Sequence, residues 1–502
     1  MAKIIGFSAS LRNARSFEGA KALIDDIKQL HSQDDLYAYL EKQGNLHLEH
    51  YFKAGREKEV PFDQLFRELK KSKGLDGLSN SEVCLAAALW GASTAGAEID
   101  LLPLVHFFPE NGGVHDEEIL REAVSNADGL IISTPVYFGD RSSLSQRLLD
   151  FFRLDSKLRN CLSGKIYGGV TVGAKRNGGQ ETSLIYQMHD IMDLGALGVG
   201  NDYITTSQYG GTGHAGDIGT MPKDHYGLNT CVGTGRRVAR VAEMRFLSKD
   251  YKLKSDLRVG IWILQDKEKI LSNYLTSICE ELSGSARFDF FNLTDKRILP
   301  CMACDICPCR VGKDQEYRCV RGKNDDMHTF HEELLNCDVI IPAMLSPRNR
   351  QGLLSTYQQF LERTRYIRRG DYALSNRLIA PLVISEVGCS ENLNIRMITS
   401  LIRHHTIMHK PIMGWYQNDR LLNIDDVIVG LKSAIEKGTD QTIARLASVM
   451  HDENLVVYKP IGYVLSACKN VTDDSLKRRA EAIRVRLSAR KDEFFNRVQS
   501  RI

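Results

Sequence analysis

The segments NADGLIIST, residues 126–134, and NCDVIIPAM, residues 336–344, decide the reading of this chain. Each carries an aspartate into a short apolar run, and each follows a helical pattern that opens on acidic residues, DEEIL from Asp116 and HEELL from His331. The same local design thus occurs twice, which predicts an internal duplication. Around the first copy, KIIGF at the start, AEIDLL from Ala97, KIYGGVTV from Lys165 and GVGNDYI from Gly198 read as further strands. SEVCLAAALWGASTAG from Ser81, DEEILREAVSNA from Asp116 and SLSQRLLDFF from Ser143 read as helices between them. Around the second copy, RVGIWIL from Arg258, FDFFNL from Phe288 and RLIAPLVIS from Arg377 repeat the alternation. Strands alternating with helices predict a parallel sheet covered on both faces.

The fold class expected is therefore α/β, with two tandem, doubly wound, flavodoxin-like parallel-sheet domains. The first occupies residues 1–250, with a charged helical insertion at about 32–76 that contains YAYLEKQG and PFDQLFRELKKSKG. The second occupies 251–450. A basic helical tail, SLKRRAEAIRVRLSARKDEFFNRV, dominates 451–502 and reads as a packing or dimerisation helix. At 502 residues the chain exceeds one compact core. A net charge of +3 with 26% charged residues gives no footprint for nucleic acid, and no apolar window is long enough for a membrane span. The N-terminus reads as a buried strand rather than a signal peptide, so a cytoplasmic protein is expected. Five of the twelve cysteines lie between Cys301 and Cys319, a distribution that favours a metal or cluster site over a disulfide framework.

Three segments of the first half fall where an α/β sheet places ligands, beyond the carboxyl ends of its strands. SASLRN offers the hydroxyls of Ser8 and Ser10 and the cation of Arg12, the groups that a phosphate monoester needs at a helix start. TPVYFGD, Thr134–Asp140, offers Tyr137 and Phe138 to a planar ring on a loop shaped by Pro135, Val136 and Gly139. VGAKRNGGQET, Val172–Thr182, is a Gly-rich basic loop with Gly173, Lys175, Arg176, Gly178, Gly179, Gln180 and Glu181.

Together these motifs resemble the NADPH-dependent FMN reductase and iron-sulfur flavoprotein family, whose members carry a Ser-x-Arg phosphate loop, then PVYFG, then a GG-Q-E loop. DHYGLNTCVGTGRRVARVA from Asp224 is similar to the family's last helix. The resemblance implies one FMN in the first half, redox chemistry carried by the flavin, and NAD(P)H as a transient co-substrate. It departs at one point. The polar pair that normally follows the arginine closely is matched here by Ser79, Asn80 and Ser81, after the insertion. The phosphate pocket then requires the insertion to fold back beside Ser10.

In the second half, Cys301, Cys304 and Cys307 have CxxCxxC spacing, with Cys309 and Cys319 following. Thiolates so spaced converge on one metal centre. The resemblance implies a [4Fe–4S] cluster on Cys301, Cys304, Cys307 and Cys319, followed by the Asp-Asp-Met of Asp325, Asp326 and Met327. Cys309 is an alternative ligand, and zinc or free thiols are the alternatives to a cluster. The second half lacks the flavin loops: AMLSPRN stands for TPVYFGD, acidic Asp266 and Glu268 enter the first loop, and SEVGCSEN lacks the double glycine. Conversely, HFFPENGG stands in the first half where the cysteines would be.

Among smaller signals, His405 and His409 have the helical spacing of two metal ligands, but the expected reading for them and His404 is a solvated or core-packed helix. His328 and His331, beside Phe330, are expected on a helix surface. RTRYIRRGD from Arg363 is expected as surface charge. The leading function is an FMN-dependent oxidoreductase that moves electrons from NAD(P)H or a ferredoxin-type donor through FMN and the cluster. An NAD(P)H:FMN or quinone reductase is the second reading; a non-catalytic electron carrier or a flavin-dependent sensor is the third. Family members assemble so that flavin and cluster of neighbouring subunits communicate, which implies a homo-oligomer with a small-molecule or protein redox partner.

Overall fold

The computed structural model describes all residues except 14, 72, 206–207, 267–268, 305–318, 320, 322–323, 349–353, 390–391, 452–480, 482–484 and 486–494. The chain divides into two compact units, Met1–Glu243 and Met244–Ile502. Among the described residues, no helix is long and apolar enough to cross a membrane.

The first unit holds β1 (Lys3–Ser8), β2 (Glu98–Pro103), β3 (Gly129–Pro135), β4 (Ile166–Gly173), β5 (Leu197–Gly198) and β6 (Gly210–His214). β1 lies between β2 and β3, and β4 follows β3. The two short strands β5 and β6 share the far side of β4. All pairs are parallel, so the order is 2-1-3-4-5 with the fifth position divided. That is the doubly wound flavodoxin order.

The second unit repeats it with β7 (Arg258–Gln265), β8 (Arg287–Asn292), β9 (Val339–Ser346), β10 (Leu378–Ile379), β11 (Leu382–Glu386), β12 (Ile407–Met408), β13 (Ile412–Gln417) and β14 (Arg420–Leu421). β7 lies between β8 and β9; β10 and β11 line β9; β12 and β13 follow them. Among the described strands of this unit, only β14 is antiparallel.

The repeated aspartate has the same task in both units. Asp128 accepts the Lys3 N–H on its carboxylate (2.9 Å) and donates its own N–H to the Lys3 carbonyl (2.8 Å). Asp338 does the same with Arg258, at 3.1 and 2.8 Å. The motif that betrays the duplication is thus the one that registers the central strand against the first.

Three expectations need correction. GVGNDYI contributes only Gly198, the last residue of β5, while β6, GGTGH, lacks the apolar pattern of a strand. Its glycines answer to packing: a Cβ on Gly211 would lie 2.8 Å from Cys231 Sγ, and one on Gly213 2.6 Å from Cys84 Sγ. RLIAPLVIS is two short strands, because Pro381 has no N–H to continue the ladder. The insertion also begins earlier than residue 32. After β1 come α1 (Phe17–Lys28), α2 (Gln33–Lys53) and α3 (Phe62–Lys71) before α4 (Asn80–Thr94). It is α4 that packs on β1, β3 and β4, the place of the helix that normally follows the first strand. Its run from Ser81 to Ala92 is wholly buried, which accounts for a helix apolar on every face.

Most of the basic tail lies outside the described residues. Its end packs on the second unit, with Val498 and Ile502 in one apolar cluster with Leu446 and Ala447. Arg501 grips Asp338 with two bonds, 2.8 and 2.6 Å. Burial works against the Asp338 charge, yet Arg501 and Arg445 hold its carboxyl below the usual range.

Candidate functional site

The loops that leave β1, β3 and β4 gather at the carboxyl end of the first sheet. Backbone and hydroxyl bonds tie them together. Ala9 N–H donates to the Ser133 carbonyl (2.9 Å), the Ser133 hydroxyl to the Ser81 carbonyl (2.7 Å), and the Ser142 hydroxyl to the Ala9 carbonyl (2.6 Å). Ser81 therefore reaches the first loop across the insertion, as the phosphate pocket requires.

The side chain that brings it there is Arg15, which sequence reading passed over. Its Nε lies 2.7 Å from Glu82, and its other nitrogens donate to the carbonyls of Gly19, Gly74 and Gly77. Both members of the pair are about 2% exposed. Glu82 in turn accepts the Ser79 N–H at 3.0 Å and caps α4. A second arginine in the first loop, three residues after Arg12, was the available signal.

The predicted site residues separate into two groups. Several are engaged with the scaffold. Ser8 Oγ accepts from Asn13, Ser10 Oγ accepts the Arg12 N–H, and the Asn80 amide bridges Asp217 and Met221. Gln180 donates to the carbonyls of Lys175 and Gly213. Arg176 turns back to pair with Asp224 and to lie over the Tyr226 ring, so it does not face an incoming ring or anion.

The second group points outward. Arg12, Lys175 and Glu181 are exposed, and the Arg12 guanidinium makes no bond among the described residues. Ser79 Oγ, buried at the start of α4, faces the Glu82 N–H in a capping box but donates its own proton to no acceptor among the described residues. Tyr137 and Phe138 stand at the tip of a tight hairpin, closed by paired bonds between Tyr137 and Asp140 at 2.8 and 2.9 Å. Phe138 and Gly139 both take positive φ there, 52° and 81°, the geometry of a two-residue hairpin turn. Phe138 is fully exposed and Tyr137 about half. Val136 N–H donates to the Val172 carbonyl beside Gly173, joining the second loop to the third. The loops approach so closely that a Cβ on Gly179 would fall 2.6 Å from Gly139 Cα, which leaves glycine alone at that position; Gly178 beside it is exposed, and Pro135 is half-buried. A free guanidinium, a buried hydroxyl with its proton still to donate and a helix N-terminus are the donor set of a phosphate monoester, and a planar ring fits the exposed aromatics.

The second unit closes the corresponding position itself. Asp266 accepts the N–H groups of Leu271 (3.1 Å) and Ser272 (2.7 Å) and the Ser272 hydroxyl (2.6 Å), at the start of the helix Ile270–Glu281. A carboxylate of the chain thus sits where a phosphate would. Glu268 lies outside the described residues.

Of the cysteine motif, Cys301, Cys304 and Cys319 are described, all as free thiols; Cys307 and Cys309 lie outside. Cys301 and Cys304 are half-buried and Cys319 is buried. Ala303, at φ 48°, turns its N–H onto Cys301 Sγ at 3.4 Å. Amide donation to sulfur stabilises a thiolate ligand. The two ends of the segment are fastened together. Arg321 donates to the Pro300 carbonyl at 3.0 Å, and fully buried Arg363 bonds both the Leu299 carbonyl and Asp325. Asp326 accepts the Arg297 N–H, and Met327 is buried below. The three described sulfur atoms do not all lie within 4.8 Å of one another, so by themselves they do not enclose a single metal ion. Arg363 is accordingly no surface charge, because its partner Asp325 is interior.

The histidines also differ from expectation. His404 ends a 3-10 turn, His405 takes φ 62°, and His409 follows β12, so no helix aligns them. His405 bonds Ser375, and His409 bonds the Lys410 carbonyl and Ser433. Burial lowers His404 to about 3 and His409 to about 4. His331 is buried and bonds Tyr366, whose ring it stacks on, while His328 bonds the Arg321 carbonyl.

Residues 76–210 match the model of the NADPH-dependent FMN reductase family. An iron-sulfur flavoprotein of Methanocaldococcus jannaschii is 40% identical over 131 residues, 26% of this chain and 65% of that protein. An NAD(P)H dehydrogenase (quinone) of Caulobacter vibrioides is 29% identical over 182 residues, 32% of this chain and 90% of that protein. A flavodoxin, WrbA-like protein from Agrobacterium tumefaciens aligns at 20% identity and a TM-score of 0.25, over 32% of this chain and 89% of that one. The chain spans about two thirds of the length of the iron-sulfur flavoproteins it matches.

Proposed function

Because the first unit belongs to the NADPH-dependent FMN reductase family, we propose that the chain is an FMN-dependent oxidoreductase, passing electrons from NAD(P)H or a ferredoxin-type donor to an acceptor. The observation that carries the reading is the convergence of the three loops around an unengaged Arg12 and the Ser79 hydroxyl, whose proton has no acceptor among the described residues. Bound FMN supplies the electron chemistry. Arg12, Ser79 Oγ and the first turn of α4 hold its phosphate. The hairpin at Tyr137 and Phe138 and the Gly178–Gly179 backbone would contact its ring. No side chain is needed as nucleophile or general acid.

The thiols of the second unit hold a [4Fe–4S] cluster in this reading, on Cys301, Cys304, Cys307 and Cys319, with the Arg363–Asp325 pair fastening the base of the ligand segment. Copies of the chain associate, and the acceptor is a small molecule or a redox protein. The match to the quinone dehydrogenase spans most of that protein, which favours a quinone acceptor as the second reading. An absorbance spectrum of anaerobically purified protein tests the proposal. Flavin bands with a broad iron–sulfur shoulder, bleached by NADPH, are expected. A colourless protein without iron or FMN overturns it, and flavin with zinc leaves the reductase and removes the cluster.

A further inference from the structure

The insertion crosses the same end of the first sheet as the loops of the flavin site. Its own apolar core, Tyr51, Leu65, Phe66 and Leu69, is completed by Ile218 from the loop after β6 and by Val105 from the segment after β2. Those two residues stand beyond strands on opposite sides of β1, so the inserted helices bridge the exit where the phosphate loop lies.

The bridge is fastened on both sides of that loop. Gln43 of α2 accepts the N–H groups of Gly77 (2.7 Å) and Leu78 (3.1 Å), the residues just before Ser79. Arg15 holds Gly74 and Gly77 from the other side. Toward β6, the α2 backbone lies directly on the next loop: a Cβ on Gly219 would meet the Gly44 carbonyl at 2.7 Å. Arg56 pairs with Asp217 at 3.0 Å, and the Asn80 side chain bonds the Asp217 carbonyl at 2.9 Å. Burial raises the Tyr51 hydroxyl to about 12, against the nearby charges of Arg12 and Arg56. The residue expected to carry the phosphate is therefore a neighbour of the insertion.

We propose that α2 and α3 form a clasp that completes the phosphate pocket from outside and makes FMN a resident group, retained between turnovers rather than exchanged as a substrate. The inference rests on the flavin reading above and adds to it the determinant of retention. Ser79 and Asn80 begin α4 only while the clasp holds Gly77 and Leu78, so release of the phosphate requires the clasp to shift. Loosening its core speeds release; fixing it to the β6 loop slows release.

Flavin release from the full-length chain loaded with FMN is followed by fluorescence after dilution. Leu65→Ala, which loosens the apolar core of the clasp, is expected to speed release about tenfold, and Arg56→Ala, which removes its ion pair to Asp217, to speed it several-fold, with folding of both checked by circular dichroism. A natural chain that binds no FMN overturns the flavin reading and the clasp with it. A chain that binds FMN but releases it at the natural rate in both folded variants overturns the clasp alone.

Discussion

Arg15 Nε and Glu82 Oε1 stand 2.7 Å apart in the interior of the first unit, joining the loop after β1 to the first turn of α4 across the whole insertion. Removing one partner leaves a buried charge without compensation, which costs about 3–5 kcal/mol. Arg15→Met is expected to lose that much in urea unfolding. Arg15→Met/Glu82→Leu is expected to recover part of it, because no lone charge remains. A single variant as stable as the parent would show that the pair does not fasten the insertion.

Arg12 is the cation left unengaged by the scaffold. Charge-assisted hydrogen bonds contribute about 1.5–3 kcal/mol. Arg12→Ala is therefore expected to weaken FMN binding roughly tenfold to a hundredfold. Riboflavin has no phosphate, and its affinity is expected to stay unchanged. Titration with both flavins separates a phosphate contact from a general loss of folding.

For the cysteines, Cys301→Ser and Cys304→Ser are expected to abolish iron incorporation, since a tetranuclear centre held by two or three thiolates is labile. Comparing Cys309→Ser with Cys319→Ser identifies the fourth ligand. Buried Cys319 is expected to be essential and Cys309 dispensable, read as iron per chain. Retention of iron in Cys319→Ser with loss in Cys309→Ser would reverse the assignment.

His404 and His409 are buried and neutral, with their proton affinities lowered to about 3 and about 4. The unfolded chain takes up a proton on each near pH 6.5, and the folded chain does not. Stability is full above that value and declines as pH falls towards 4. At pH 5 the loss is about 2 kcal/mol for each histidine. Unfolding of His404→Gln at pH 7 and pH 5 is expected to show a drop smaller than the parent's by about that amount.

Asp266 caps its helix with three bonds. Asp266→Ala is expected to cost about 1 kcal/mol, as loss of an N-cap does. It is expected to leave FMN content at one per chain, because the second unit lacks the aromatic hairpin and the double glycine. A second equivalent of FMN in this variant would show that the carboxylate alone closes that site.

The amino-acid sequence by itself determined the duplication, the alternating elements, the aromatic hairpin, the Gly-rich loop and the cysteine spacing. Each is written in residues close together along the chain, where periodicity and turn chemistry act. Tertiary structure alone decided which of those residues remain available. Arg176 and Asn80 looked like ligands until Asp224 and Asp217 claimed them, and Arg15 found its carboxylate 67 residues away. β6 escaped notice because its glycines serve the sulfur atoms of Cys84 and Cys231 packed against it, not the pattern of a strand. The return of Ser79–Ser81 to the phosphate loop belongs to the same class. It depends on a buried ion pair and an apolar core assembled from distant segments, and contacts of that kind leave no local mark in sequence.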